Sequence, residues 1–280
     1  MRVAVLGLGE AGSLYASGFR GNGWAVAGYD PGDVSTPDGV ERADSVRAAV
    51  QGCDLVLGLT GAKVALAVAR EAAPHLASGT VFADMNAAAP QLKREIAQAV
   101  QESAGVVFAD VSVIGSVPTH RHGTPLVTSG AGAAQVAAHF GTLGTPVEDL
   151  GAEPGAASAR KLLRSVFMKG LGAIITQTVE AGRAAGDEQW VREQIAAELA
   201  SGESTLDRLY QGTVKHGERR AFEVSAAADL MADLRLDAEL TQAIQPRAHP
   251  GRPSGRAEQR AAGERRAAGR TRGRRHGEHR

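Results

Sequence analysis

Lysine is rare in this chain: only five of its 31 basic residues are Lys, at positions 63, 93, 161, 169 and 215, and the rest are Arg. An ammonium can lose its proton when desolvated, whereas a guanidinium effectively cannot. Lys161, within the helical pattern ARKLLRSVFMKG (159–170), is thus one of the few cations here whose charge burial could remove. At three- and four-residue steps Ser158, Lys161, Ser165, Met168, Gly172 and Thr176 form a small, mostly polar stripe with one ionisable group, suited to the floor of a cleft. Leu162, Leu163, Val166, Phe167, Leu171 and Ile174 form a separate, broad apolar face. Lys169 is turned by about 80° from Lys161 and reads as a solvated side chain.

A second constellation lies in VAVLGLGEAG (3–12). Gly7, Gly9 and Gly12 make G-x-G-x-x-G directly after an apolar run and at the start of a helical one. In such a loop the first glycine allows a tight turn, the second allows close approach of a pyrophosphate, and the third allows helix and strand to pack. The phosphates then meet the free N–H groups of a helix N-terminus, so the segment Gly7, Leu8, Gly9, Glu10, Ala11 and Gly12 is read as cofactor-binding. Asp30 closes the next apolar run, 18 residues after Gly12. A carboxylate there accepts hydrogen bonds from ribose hydroxyls and repels a 2′-phosphate. The adjoining DPGD shows no basic residue, so NAD is expected over NADP.

Two loops should follow later strands: GLTGAK (58–63), with Thr60, and ADMNAAAP (83–90), with Asn86. Asn86 can serve the nicotinamide site, cap the helix that follows, or do both. DVSVIGSVPTHRHGTPLVTSG (110–130) reads as a long loop in which Gly115 and Ser116 offer N–H groups to a substrate anion. His120 and His122 are two residues apart, with no acidic partner nearby in sequence, and read as surface residues; no metal site is expected. His216 is a candidate for the same cleft or simply an N-terminal helix residue. Cys53, the single cysteine, reads as an inert packed thiol and fits a reducing cytoplasm.

Elements must hold these residues together. Short apolar runs at 2–6, 24–29, 54–59, 80–84 and 105–109 alternate with amphipathic stretches at about 10–21, 43–51, 63–76 and 88–103. That alternation implies α/β architecture, a doubly wound parallel sheet of Rossmann type. Runs at 125–128 and 145–149, flanking a helix near 131–142, extend the sheet. After about residue 151 only helical patterns remain, beginning with a long helix over 154–185. The expected domains are 1–152 for the dinucleotide, 153–245 for substrate and dimerisation, and 246–280 as a disordered Arg-rich tail. No internal repeat is visible.

The zero net charge conceals a basic tail, with 11 Arg against 3 Glu from 247 to 280, on an acidic body. The tail has no Leu, Ile, Val, Phe, Tyr, Trp or Met and cannot bury enough apolar surface to offset its ordering entropy. It reads either as a nucleic-acid-binding arm or, preferably, as a shifted reading frame in GC-rich DNA. No run approaches the roughly 18 to 20 apolar residues of a membrane span, and the N-terminus is a strand rather than a signal peptide.

These motifs resemble the β-hydroxyacid dehydrogenase family, which includes 6-phosphogluconate and 3-hydroxyisobutyrate dehydrogenases. GLGEAG, ADMNAAAP, DVSVIGSVP with GTPLVTSG, and GAASARKLL carry the resemblance across about 1–185. Residues after 155 resemble an uncharacterised helical domain attached to some such NAD-binding domains. The resemblance implies a cytoplasmic, homodimeric NAD(P)-dependent dehydrogenase acting on a hydroxy acid, with Lys161 as general acid/base and Asn86 near nicotinamide and substrate. Ile114-Gly115-Ser116 departs from the family's Ser-Gly-Gly, and Ser165 stands where Asn is frequent, so the substrate is not transferable. Imine reductases are similar too but typically replace the lysine. An NAD-binding sensor or a catalytically impaired homologue is the alternative.

Overall fold

The computed structural model describes residues 1–151 and 153–244. They divide into two compact units, the first from Met1 to Lys169 and the second starting at Gly170. The first contains β1 (Arg2–Leu6), α1 (Glu10–Gly21), β2 (Ala25–Tyr29), β3 (Glu41–Arg42), α2 (Val46–Val50), β4 (Leu55–Gly58) and α3 (Ala65–Ala72). It continues with β5 (Val81–Asp84), α4 (Pro90–Gln101), β6 (Val107–Val113), α5 (Val117–His120), β7 (Leu126–Ser129), α6 (Ala133–Gly141), β8 (Val147–Asp149) and the start of α7 (Ala156–Ala185).

The strands form one sheet in the order β3-β2-β1-β4-β5-β6-β7-β8. Every neighbouring pair is parallel except β6 with β7. The chain steps outward from β1 to β3 and then returns to β4 on the other side of β1. That reversal leaves a crevice beyond the carboxyl ends of β1 and β4, where such sheets bind ligands. Alternate strand residues serve opposite faces: Val3 and Val5 join Tyr15, Phe19 and Phe140 on one side. Ala4 and Leu6 join Phe82, Ile96 and Phe108 on the other. Burial on both faces is why the strands read as continuous apolar runs rather than alternating ones.

One expectation is corrected. The stretch 110–130 is not one long loop, because Asp110–Val113 pair antiparallel with Leu126–Ser129 and extend β6. The loop proper is shorter and contains α5 and a 3-10 turn at Arg121–Gly123. Val-Phe-Ala-Asp occurs at 81–84 and again at 107–110, and β5 and β6 pair the two copies in register, setting Asp84 beside Asp110.

The second unit contains the end of α7, then α8 (Glu188–Ala200), α9 (Glu203–Lys215), α10 (Gly217–Asp233) and α11 (Glu239–Ala243). Gly182 lets α8 approach α7, since a Cβ there would stand 2.7 Å from Val191 Cγ2. Neither α8 nor α9 has a buried residue. Within the first unit, the part of α7 before Lys169 exposes Leu163, Val166 and Phe167 at 74%, 76% and 62%. No described helix is long and apolar enough to cross a membrane. The Arg-rich tail expected from 246 lies outside the described residues.

Candidate active site

The glycine loop joins β1 to α1. Gly7 has φ +100°, and a Cβ on it would stand 2.5 Å from the Leu59 carbonyl oxygen. A Cβ on Gly12 would stand 1.9 Å from the Gly7 carbonyl oxygen, whereas one on Gly9 meets nothing within 4 Å. The protein's own packing thus requires the outer two glycines, and the middle one faces open space. Gly9 caps α1 without a side-chain hydrogen bond, leaving the first-turn N–H groups for an anion. Leu8 is buried against Gly28, Glu10 is exposed and Ala11 half-buried.

Asp30 holds this loop. Its Oδ2 accepts from Leu8 N at 2.8 Å and its Oδ1 from Gly32 N at 2.8 Å, and a carboxylate with two such bonds keeps lone pairs for further donors. The expectation that no basic residue lies nearby is corrected. The pairing of β3 with β2 brings Arg42 back, where it donates to Asp30 O (2.6 Å), Gly32 O (3.0 Å), Val34 O (3.0 Å) and Thr36 Oγ1 (3.2 Å).

Beyond β4, Thr60 Oγ1 is buried with no hydrogen-bond partner among the described residues. Beyond β5, Asn86 is buried and does not cap the next helix; Ala89 takes that position, with Pro90 beginning α4. Instead Asn86 Oδ1 accepts from Gly61 N at 2.6 Å, and its Nδ2 donates to Asp84 Oδ1 at 2.5 Å. This ties the loops after β4 and β5 together.

Behind them lies a cluster that the sequence reading missed. Lys93 of α4, fully buried, donates from Nζ to Asp84 Oδ2 (2.5 Å) and Asp84 O (2.9 Å), and stands 3.1 Å from Asp110 Oδ1. Asp110 accepts from Ser158 N (2.9 Å) and Ser158 Oγ (2.7 Å), and Ser129 Oγ accepts from Ala157 N (3.1 Å). Sheet side chains thus cap the first turn of α7. Burial pushes the Asp84 carboxyl up from its ordinary range, with Asp110 adding to that and Lys93 and Asn86 opposing it.

Lys161 follows Ser158 by three residues on α7 and is half-buried. Burial pushes its ammonium below the ordinary lysine range; Lys93 and Arg164 add to that and Asp110 opposes it. One turn on, half-buried Ser165 bonds back to Lys161 O at 2.9 Å. The polar stripe is exposed at Met168, Gly172 and Thr176, as is Lys169. Gly115 and Ser116 are exposed after β6, and Ser116 Oγ lies 2.8 Å from Thr119 Oγ1. His120 is exposed, while His122 packs under Gly18 of α1. His216 is exposed at the junction of α9 and α10, in the second unit. Cys53 is a buried free thiol.

Residues 2–147 match the NAD binding domain of 6-phosphogluconate dehydrogenase. The chain belongs to that family. Its members are NAD(P)-dependent oxidoreductases, and the resemblance read from the motifs is borne out. Residues 183–249 match a domain of unknown function. A conserved hypothetical protein from Sinorhizobium meliloti is 29% identical, with a TM-score of 0.57 over 87% of this chain and 85% of that one. A conserved protein of unknown function, described as structurally similar to 3-hydroxyacid dehydrogenases, is 27% identical, with a TM-score of 0.57 over 83% and 90%. An imine reductase from Aspergillus terreus, in complex with NADPH4 and dibenz[c,e]azepine, shares the fold at 17% identity, with a TM-score of 0.71 over 87% and 90%.

This 6-phosphogluconate dehydrogenase-type domain has residues that fit a dinucleotide. Open space over Gly9, an uncapped helix N-terminus and the orphaned Thr60 hydroxyl all ask for a polar, anionic ligand.

Proposed function

We propose that the chain is an NAD-dependent oxidoreductase that moves a hydride between the nicotinamide and a hydroxy acid of the β-hydroxyacid or sugar-acid type. Lys161 is the general acid/base. The observation that carries this reading is Lys161 itself, half-buried three residues beyond the capped first turn of α7, with its ammonium pushed down by burial. The nicotinamide, when bound, supplies the hydride chemistry. Neutral Lys161 accepts the substrate hydroxyl proton during oxidation, and its ammonium returns that proton in reduction.

The glycine loop, Thr60 and Asn86 hold the cofactor, and Asp30 takes the ribose hydroxyls, which favours NAD. Gly115, Ser116 and Ser165 are assigned to the substrate. Residues 1–152 form the dinucleotide-binding domain, and 153–245 the helical domain for substrate and self-association. The uncovered apolar side chains of α7 support a homodimer, and the single buried thiol supports a cytoplasmic location.

The test is a screen of 2- and 3-hydroxy acids, sugar acids included, following NADH absorbance with NAD and NADP in parallel. A cyclic imine with NADH and NADPH is included because the fold is shared with imine reductases. Oxidation of an acid that disappears in Lys161→Arg supports the proposal. Reduction of the imine alone would replace it, and tight NADH binding with no turnover of any compound would indicate a sensor.

A further inference from the structure

Buried ion pairs recover their desolvation cost only when geometry and hydrogen bonding are complete, and well-packed apolar residues of similar volume often serve stability as well or better. The Lys93 cluster therefore calls for a reason beyond stability. Its geometry supplies one. The Lys93 ammonium donates to Asp84 Oδ2 and Asp84 O and stands in an ion pair 3.1 Å from Asp110 Oδ1, so its charge is committed to the two aspartates. Each aspartate then passes the contact on to a different part of the site. From Asp84 the chain of bonds runs through Asn86 to Gly61 N, beside Thr60. From Asp110 it runs through both the N–H and the hydroxyl of Ser158 to the first turn of α7, which sets the start of the helix that carries Lys161.

We propose that Lys93 is a positioning residue. By binding Asp84 and Asp110 at once, it locks the cofactor-side loops after β4 and β5 to the helix turn that places Lys161. The proposal rests on the reading of Lys161 and Asn86 given above. In a chain that otherwise favours Arg, a lysine here has a plain reason: a compact ammonium with three rotatable donors fits between two in-register carboxylates, and a flat guanidinium fork does not.

The test uses the full chain and needs no substrate. With only five lysines, reductive methylation with 13C-formaldehyde gives a sparse set of dimethyl-lysine NMR signals, and Lys161→Arg identifies that of Lys161. The charged groups acting on Lys161 are Lys93, Asp110 and Arg164. Lys93→Met removes a repelling charge and frees Asp110, so the Lys161 titration should move to higher pH. Asp110→Asn removes the attracting carboxylate, so it should move to lower pH. Lys93→Arg keeps the charge without the geometry. It should leave the Lys161 titration nearer wild type than Lys93→Met does, while NADH binding, followed by fluorescence, weakens by about tenfold, or ~1.4 kcal/mol.

A purely structural Lys93 would lower the melting temperature and leave the Lys161 titration where it is. That outcome in folded Lys93→Met or Asp110→Asn, or unchanged NADH affinity in folded Lys93→Arg, overturns the proposal. If Lys93→Met does not fold, Asp110→Asn and Lys93→Arg decide. Retained turnover in Lys161→Arg would instead overturn the assignment of Lys161 while the titrations stand, so the two failures are distinguishable.

Discussion

Asp84 and Asp110 are register partners on adjacent parallel strands, each ending a copy of the same Val-Phe-Ala-Asp tetrapeptide, and both are buried. Two carboxylates so placed repel one another, and Lys93 supplies the charge that lets them coexist. Each carboxylate also fastens a different piece of the site, through Asn86 on one side and Ser158 on the other. One pairing in the sheet thus organises two loops and the start of a helix.

Lys161→Arg should leave NADH affinity within about twofold of wild type and reduce kcat/KM for hydroxy-acid oxidation by 10² to 10⁴, roughly the range for loss of a general base. In the proposed mechanism, oxidation requires neutral Lys161. The rate should therefore rise with pH through a midpoint below the ordinary lysine range, the direction set by burial with Lys93 and Arg164 adding to it. Stability follows the same sign: the unfolded chain binds the proton more readily in that window, so Lys161's contribution grows as pH rises through it. A rate that falls with pH across that window would sink the assignment.

What the sequence could convey divides by distance along the chain. The glycine loop and Lys161 were legible because spacing within a dozen residues placed them on a turn or a helix face. The Asp84–Lys93–Asp110 cluster was not, since it depends on which strand lies beside which and in what register. Two hints were present, the repeated Val-Phe-Ala-Asp and the scarcity of lysine, but neither specifies a contact alone. Arg42 was missed similarly, because a two-residue strand is too short to read and only its pairing with β2 returns it to Asp30. The cap of α7 comes from Asp110 and Ser129, 48 and 28 residues away from the groups they bind, beyond the reach of local capping rules.

Gly9→Ala and Gly12→Ala should separate packing from binding. The Gly12 substitution drives a methyl into the Gly7 carbonyl at 1.9 Å, so it should lower the melting temperature as well as remove NADH binding. The Gly9 substitution meets open space and should leave the melting temperature unchanged while weakening NADH binding at least about tenfold. Full NADH affinity in a folded Gly9→Ala variant would show that no phosphate passes over that residue.

Leu163, Val166 and Phe167 offer contiguous apolar side chains on α7 to whatever covers them, and exposed patches of this kind mark association surfaces. Sedimentation should show a dimer for the wild type. Combined Val166→Glu and Phe167→Glu should give a monomer with unchanged helical content by circular dichroism, because both side chains are exposed among the described residues. A wild-type monomer at micromolar concentration would refute the homodimer.

In the proposed reading, cofactor choice turns on Asp30. Its carboxylate stands where the second strand meets the glycine loop, and Arg42 braces the loop beside it through four acceptors. Calorimetric titration should therefore find NADH bound more tightly than NADPH, by about tenfold or more. Asp30→Asn removes the charge and keeps one carbonyl oxygen for Leu8 N or Gly32 N. The variant should narrow that ratio chiefly by improving NADPH, while the lost second acceptor costs about 1 to 3 kcal/mol of stability. Equal wild-type affinities for the two cofactors would show that Asp30 only ties the loop and does not read the ribose.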